Sequence, residues 1–307
     1  HSPSRRQRQM CIRDRFWDVR EKIISSKSQN YNYGNAHLSL DDFYKSFYKN
    51  YPLLNKQISA AIKLINDGCI EKLVLGSKLI FQLKKKLNII QILHKLRLSQ
   101  ANACRYLWKR NKENIIFGAS PEKLFSFKEK VLQLEAIAGT EKIGFDMETL
   151  LRSDKNLREH NFVINYLIEN LKFLNIRNFN KGEIKVKKFG NIAHLCTLIS
   201  AEVNKICPFV LLEKLHPSPA VCGFPKEKAL DYLDSLENFD RGNYASPFGW
   251  VDVEGNADFR VALRGARILN GEIEFIAGSG LVKGSICEKE IDEIKLKLAS
   301  LANLIFD

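Results

Sequence analysis

The stretch Ala266-Arg267-Ile268-Leu269-Asn270-Gly271-Glu272-Ile273-Glu274-Phe275-Ile276-Ala277-Gly278-Ser279-Gly280 decides how this chain is read. Asn270-Gly271 is the strongest short hairpin signal a sequence offers, because both central residues of a type I′ turn need positive φ. A strand from Phe259 to Ile268 is therefore expected to turn back into a second strand, Glu274 to Ala277. That strand runs into Gly278-Ser279-Gly280, expected to form a Gly-rich loop with free backbone N–H groups. Just beyond, a helical pattern sets Glu290 and Glu293 three residues apart, on one face. Upstream, Arg241-Gly242-Asn243-Tyr244 leads into an apolar strand around Phe248 and Trp250, followed by an acidic turn from Asp252 to Asn256. Loop amides beside two helix carboxylates make a place where an anion and a divalent cation can sit together.

Nearer the N-terminus, Ile58, Ala61, Ile62 and Ile65 repeat at helical spacing, and Gly68 stands where a C′ glycine belongs. A short strand, Ile70 to Leu75, follows, with Lys72 and Val74 on one face. A second helix is expected from Leu87 to Leu96, then a meander of strands at Cys104 to Trp108, Ile115 to Ala119 and Val131 to Ile137, closing at Ala138-Gly139-Thr140. A long helix from Glu148 to Leu174 carries Glu159 and His160, and a strand from Ile192 to Val203 carries His194. His216-Pro217-Ser218-Pro219-Ala220 cannot be helical, because two prolines punctuate it. Pro225 fits the first position of a helix through Leu236. Antiparallel hairpins mixed with long helices indicate an α+β fold.

The 307 residues can bury a large core, and at 45% hydrophobic and 27% charged they suit a soluble globular chain. No apolar run is long enough to cross a bilayer, and no secretory signal is visible. Seven cysteines, scattered without Cys-x-x-Cys pairing, argue against a disulfide framework or a zinc site and for a reducing, cytoplasmic setting. Of the net charge of +13, residues 1–15 contribute +4 through five Arg and one Asp, leaving about +9 spread over the rest. That excess is not a basic stripe interleaved with aromatics, so nucleic acid is not an expected partner. His1 to Arg15 lacks apolar periodicity and is read as a tail foreign to the fold, leaving residues 16–307 as one domain with a shortened N-terminal part.

Taken one at a time, the polar residues have ordinary explanations. Lys72 on an apolar strand either snorkels to the surface, the commoner outcome, or sits in a pocket with a lowered pKa. Glu122 after Pro121 could mark a strand bend, Glu159, Glu290 and Glu293 could be solvated helix faces, and His194 a core histidine. Their order changes the reading. Glu71-Lys72-Leu73-Val74-Leu75, Gly118-Ala119-Ser120-Pro121-Glu122, Ile137-Ala138-Gly139-Thr140, Ser153-Asp154-Lys155 with Glu159-His160, His216-Pro217-Ser218-Pro219-Ala220, Gly249-Trp250-Val251-Asp252, Ala277-Gly278-Ser279-Gly280 and Glu290-x-x-Glu293 succeed one another from about residue 40 to the C-terminus. This series resembles the chorismate-utilising enzymes, which include isochorismate, salicylate, anthranilate and aminodeoxychorismate synthases.

The resemblance implies large mixed and antiparallel sheets packed with outer helices, and an active site in a central cleft. Within the family, the run from His216 to Pro225 resembles the isochorismate synthase form, and Ala138 stands where aminodeoxychorismate synthases carry a lysine. The implied reaction is the magnesium-dependent conversion of chorismate to isochorismate, with a salicylate synthase as nearest rival and an amine-adding synthase or an inactive binding homologue behind it. By similarity, Lys72 is the base that activates water and Glu122 the acid that protonates the departing hydroxyl. Glu159, Glu290 and Glu293 match the magnesium carboxylates. Gly139, Thr140, His194, Tyr244, Arg264 and Gly278 to Gly280, including Ser279, match positions that bind substrate. Asp258 and Asp154 stand where Glu is commoner, and Arg158 where His often precedes the metal Glu. The resemblance implies a monomer acting on a small molecule, without a glutaminase subunit.

Overall fold

The computed structural model describes residues 39–306, apart from 112, 145 and 146. The segment 1–15, read above as a foreign tail, lies outside the described residues. Helix α1 (Leu40–Asn66) is fixed at its start by a reciprocal cap between Ser39 and Asp42, which satisfies amides that the first turn leaves unpaired. It begins well before Ile58, because Phe43, Phe47 and Leu54 extend the buried stripe that Ile58, Ala61 and Ile65 complete.

The hairpin read at Asn270-Gly271 is present and joins β12 (Gly265–Leu269) to β13 (Glu272–Val282), with Asn270 and Gly271 both at positive φ. β13 pairs along its whole length with β1 (Lys72–Gln82), from Lys72 opposite Val282 to Gln82 opposite Glu272. Together with β2 (Cys104–Lys109), β3 (Asn114–Ser120) and the short β9 (Gly223–Phe224), they form a six-stranded sheet ordered β2-β3-β12-β13-β1-β9. The second sheet follows the order β10-β11-β4-β5-β8-β6, with β7 also on β8. Its strands are β4 (Lys123–Lys128), β5 (Val131–Lys142), β6 (Phe179–Lys181), β7 (Lys185–Phe189), β8 (Ile192–Glu202), β10 (Pro247–Val251) and β11 (Ala257–Val261). Every strand pair in both sheets is antiparallel, consistent with an α+β fold.

Two expectations are corrected here. Gly278-Ser279-Gly280 is not a loop: it lies inside β13, opposite Gly76, Leu75 and Val74 of β1. The apolar strand simply continues through the glycines, because small residues tolerate the close approach of the neighbouring chain. The expected strand from Phe259 to Ile268 is in fact two, β11 in one sheet and β12 in the other. The chain changes sheets at Ala262 to Arg264, and Arg264 takes a φ of +50°, which non-glycine residues adopt only at some cost.

Each sheet has its own core. The first buries Leu73, Leu75, Phe81, Phe117 and Phe275 against Phe43 and Phe47 of α1, Leu93 and Leu96 of α2 (Ile89–Ser99) and Ile294 and Leu298 of α7 (Cys287–Ile305). Rings of Phe43, Phe81, Phe275 and Phe306 lie 5.3 to 6.4 Å apart, and full burial of side chains of this size stabilises by about 1.5–3 kcal/mol each. The second sheet buries Leu132, Leu134 and Ile199 against Val163, Ile164, Leu167 and Leu171. Those four belong to α4 (Asp154–Phe173), which is separated from α3 (Met147–Arg152) by Ser153; the expected single helix breaks there because the Ser153 hydroxyl caps the Asn156 amide. α4 packs on β5 and also reaches β13 of the other sheet, so it spans the cleft between them. α5 (Pro208–Leu215) and α6 (Lys226–Leu236) complete the described helices, with Pro225 as the residue capping α6 rather than its first turn.

Candidate active site

The cleft lies where β12 stops and β13 continues. Beyond Phe275, β13 has no neighbour on its β12 side. The Gly278 carbonyl accepts from Lys297 Nζ at 2.8 Å, so in an antiparallel strand the N–H groups of Gly278 and of Gly280 also face away from β1. The amides expected from a loop are thus supplied by a strand edge. Both glycines line a small cavity of about 60 Å³, shared with Glu122, Gly139, Thr140, Glu159, His194, Tyr244 and Arg264.

Lys72 opens β1 and is fully buried, so the snorkelling alternative does not hold. It stands behind the cavity wall. Its Nζ is 3.3 Å from Glu159 Oε1 and 3.5 Å from the Glu159 carbonyl oxygen. Burial drives the Lys72 pKa below its ordinary value, against the opposing pull of Glu159. Glu122 follows β3, where Pro121 offers no N–H to continue the ladder. The Glu122 amide donates to Ser120 Oγ at 3.2 Å, and that hydroxyl donates to the Val261 carbonyl at 2.5 Å, tying the bend to β11. Burial raises the Glu122 carboxyl to about 7, although the Lys72 and Lys297 ammoniums oppose this.

Gly139 sits at a bulge of β5 with φ +74°, where a Cβ would press on Asn156 Cβ at 3.1 Å. The bulge aims Thr140 at His194 of β8. His194 Nδ1 lies 3.2 Å from Thr140 Oγ1 and 3.1 Å from the Gly139 carbonyl oxygen, and its Nε2 lies 2.9 Å from Arg264 Nη2. Since a guanidinium only donates, Nε2 accepts and Nδ1 carries the proton. Burial, with Arg264 beside it, lowers the His194 pKa to about 3, so the ring is neutral. Arg264 is brought down to about 10 by burial and stays charged at neutral pH. Burial raises the Tyr244 phenol to about 12, so it remains a donor.

Glu159, Glu290 and Glu293 do converge, from α4 and α7, beside β13. Gly280 leaves room for Glu159, because a Cβ there would collide with Glu159 Oε1. Ser279 does not line the cavity; its hydroxyl donates to Glu290 Oε2 at 2.5 Å. Glu293 accepts from Lys297 Nζ at 2.7 Å. Burial alone would raise Glu293, but Lys297 and Lys155 outweigh it and hold the carboxyl at about 2. Glu290 is pushed up by burial, which Lys155 only partly offsets. In this structure the three carboxylates surround an ammonium, Lys155 Nζ, and among the described residues no three acidic, His or Cys side chains share a ready-made metal geometry. The donor set nevertheless suits magnesium in kind: buried, hard, anionic oxygens, with Glu159 Oε2 accepting no hydrogen bond.

Two further features escaped the sequence. Lys297 lines the cavity one helical turn after Glu293, a spacing that could have been noticed beside Glu290 and Glu293. A larger open groove of about 750 Å³, lined by Asp234, Asp240 and Arg241 among others, lies on the other side of Tyr244 and Val221, which border both spaces. The inner cavity, at about 60 Å³, is smaller than the roughly 300–1,000 Å³ usual for ligand pockets.

Two antiparallel sheets meeting at a buried acid, a buried amine and a carboxylate cluster define an enzyme-like cleft. The chain belongs to the chorismate binding enzyme family, whose model matches residues 4–306. It is 31% identical over 255 residues to the isochorismate synthase MenF of Haemophilus influenzae, covering 80% of this chain and 59% of that protein. To the salicylate biosynthesis isochorismate synthase of Pseudomonas aeruginosa it is 34% identical over 254 residues, covering 80% and 53%. The solved structure of MenF, the menaquinone-specific isochorismate synthase from Escherichia coli, superposes with a TM-score of 0.75 at 28% identity, covering 83% of this chain and 60% of that one. The chain therefore spans little more than half the length of these relatives. Among the described residues no helix is long and apolar enough to cross a membrane.

Proposed function

We propose that this chain converts chorismate to isochorismate: water adds at C2, the ring double bonds shift, and the C4 hydroxyl leaves. The observation that supports this reading is a cavity lined by a buried carboxyl, Glu122, with a pKa of about 7, and by Glu159, behind which the buried Lys72 Nζ lies at 3.3 Å. Water is a poor nucleophile and hydroxide a poor leaving group at neutral pH, so the reaction needs both a base and an acid. Lys72 takes the proton from water, and burial favours the neutral amine this requires. Glu122 gives its proton to the departing hydroxyl, and its raised pKa keeps that proton available near pH 7.

Chorismate carries two carboxylates. Arg264, Tyr244 and the outward amides of Gly278 and Gly280 offer donors to one of them, with Lys297 adjacent. His194 accepts from Arg264 and so fixes the orientation of the guanidinium, while Gly139 and Thr140 hold His194. Glu159, Glu290 and Glu293 would hold magnesium. Bound there, magnesium would supply positive charge to balance a substrate carboxylate. Lys72 and the three glutamates meet at Glu159, which joins the base to the cation site. No ammonia route is required, and the chain acts alone, as a monomer in the cytoplasm.

Incubation with chorismate and MgCl2, followed by chromatography of the products, tests the reading. Isochorismate alone, abolished by chelation and restored by magnesium, is the expected result. Salicylate with pyruvate would favour the salicylate synthase reading, ammonia-dependent anthranilate an amine-adding one, and unchanged chorismate an inactive homologue.

A further inference from the structure

Lys155 has no role in the chemistry above, yet among the described residues it is the side chain that faces all three carboxylates of the cluster. It sits on α4 one turn before Glu159. Its Nζ lies 3.0 Å from Glu290 Oε1, 3.4 Å from Glu290 Oε2, 3.6 Å from Glu159 Oε2 and 4.0 Å from Glu293 Oε2. Lys72 and Lys297 each reach one carboxylate, at Glu159 Oε1 and Glu293 Oε1. The carboxylate side chains are 8%, 3% and 10% exposed, so their mutual repulsion is poorly screened.

We propose that the Lys155 ammonium is a built-in counter-cation at the point where Glu159, Glu290 and Glu293 converge, and that a divalent ion enters by displacing it. This rests on the magnesium reading given above. Three observations support it. The lysine is centred on the cluster. It is also the most accessible of the three lysines, with a side chain 21% exposed against 14% for Lys297 and 0% for Lys72, and its flexible stem lets the head move out to water. Finally, Glu159 Oε2, more than nine-tenths buried, takes no hydrogen bond although it faces the cluster. The ammonium already occupies the point that lies 3.0 to 4.0 Å from all three carboxylates, which is the place a divalent ion would take, and two cations that close together repel strongly in a poorly screened site.

The test compares the chelator-stripped full chain with Lys155→Met and Lys155→Gln, titrated calorimetrically with MgCl2. The expected result is binding at least about tenfold tighter in both neutral variants, a modest fraction of what removing a competing unit charge at this distance is worth. Without metal their thermal midpoints should fall below wild type, and magnesium should raise them by more than it raises wild type. Lys155→Arg, which keeps the charge, should bind magnesium as wild type does. Equal or weaker binding by the neutral variants overturns the displacement while leaving the magnesium site standing. No binding heat in any of the proteins overturns the magnesium reading itself, and the displacement with it. Failure of both neutral variants to fold even in saturating magnesium also overturns the proposal, because the metal should then replace the missing charge.

Discussion

Glu122 makes the mechanism quantitative through pH. Moving a carboxyl from its ordinary 4.5 to about 7 corresponds to about 3 kcal/mol in favour of the protonated form. At pH 7 roughly half the molecules then hold the acid ready, and at pH 8 about one-tenth do. Turnover should therefore fall on the alkaline side, by about tenfold per pH step beyond pH 8. Glu122→Gln keeps the shape but has no acidic proton to give. It should lower kcat by about 10²–10⁴ and flatten the alkaline limb. The same burial makes a second, opposite prediction for stability. Between pH 4.5 and about 7 the unfolded chain gives up this proton while the folded chain keeps it, so wild type loses stability as pH rises through that window and levels off above it. Glu122→Gln removes this loss. It should therefore be the more stable protein at pH 8, by up to about 3 kcal/mol, while being nearly inactive. Steady-state rates from pH 5.5 to 9 and urea unfolding at pH 5 and pH 8 measure both. A Gln variant with wild-type turnover, or one with the same stability difference from wild type at both pH values, would refute the assignment.

Lys72→Met, which preserves side-chain length, should lower kcat by about 10²–10⁴ with little change in the affinity for magnesium; product chromatography and calorimetry report the two separately. Gly280→Ala places a Cβ 1.9 Å from Glu159 Oε1, the free end of a side chain, so the glutamate must turn away. Magnesium affinity should drop about tenfold or more, while unfolding free energy changes by less than about 2 kcal/mol. Arg264→Lys keeps the charge but loses the two-pronged contact and the bond to His194, so KM for chorismate should rise about tenfold with a smaller effect on kcat.

The parts of the fold set by local chemistry were legible in the chain. The Asn270-Gly271 turn, the helical spacing of Ile58 to Ile65 and the strand from Ile192 could be read directly, because turn geometry and amphipathic periodicity act within a few residues. What could not be read were features decided by distant partners. Gly278 to Gly280 looked like a loop because their strand pairing comes from β1, two hundred residues away in sequence. The break at Arg264 was hidden because Ala262 and Leu263 keep the apolar pattern going while the backbone changes sheets. The burial of Lys72 was equally invisible: its neighbours are apolar in either reading, and its polar partner, Glu159, comes from the distant α4. The site residues themselves came from the order of short motifs, and Lys155 and Lys297 were passed over because lysines on helices are usually solvated.

Three of four interruptions in the two sheets border one cavity. β5 bulges at Gly139, β11 shifts register at Phe259, β12 gives way at Arg264, and β13 runs on alone past Phe275. Each costs ladder hydrogen bonds or backbone strain, and Gly139, Arg264 and the part of β13 beyond Phe275 line the same cavity. The gap they leave is filled by three carboxylates and three lysine amino groups, an arrangement that apolar side chains of similar volume could usually replace without loss of stability. A chain selected for stability alone would close this gap. That it instead concentrates its defects and its buried charges at one point is the physical reason to regard the point as a site of chemistry, with the cores on either side supplying the stability that the cleft gives up.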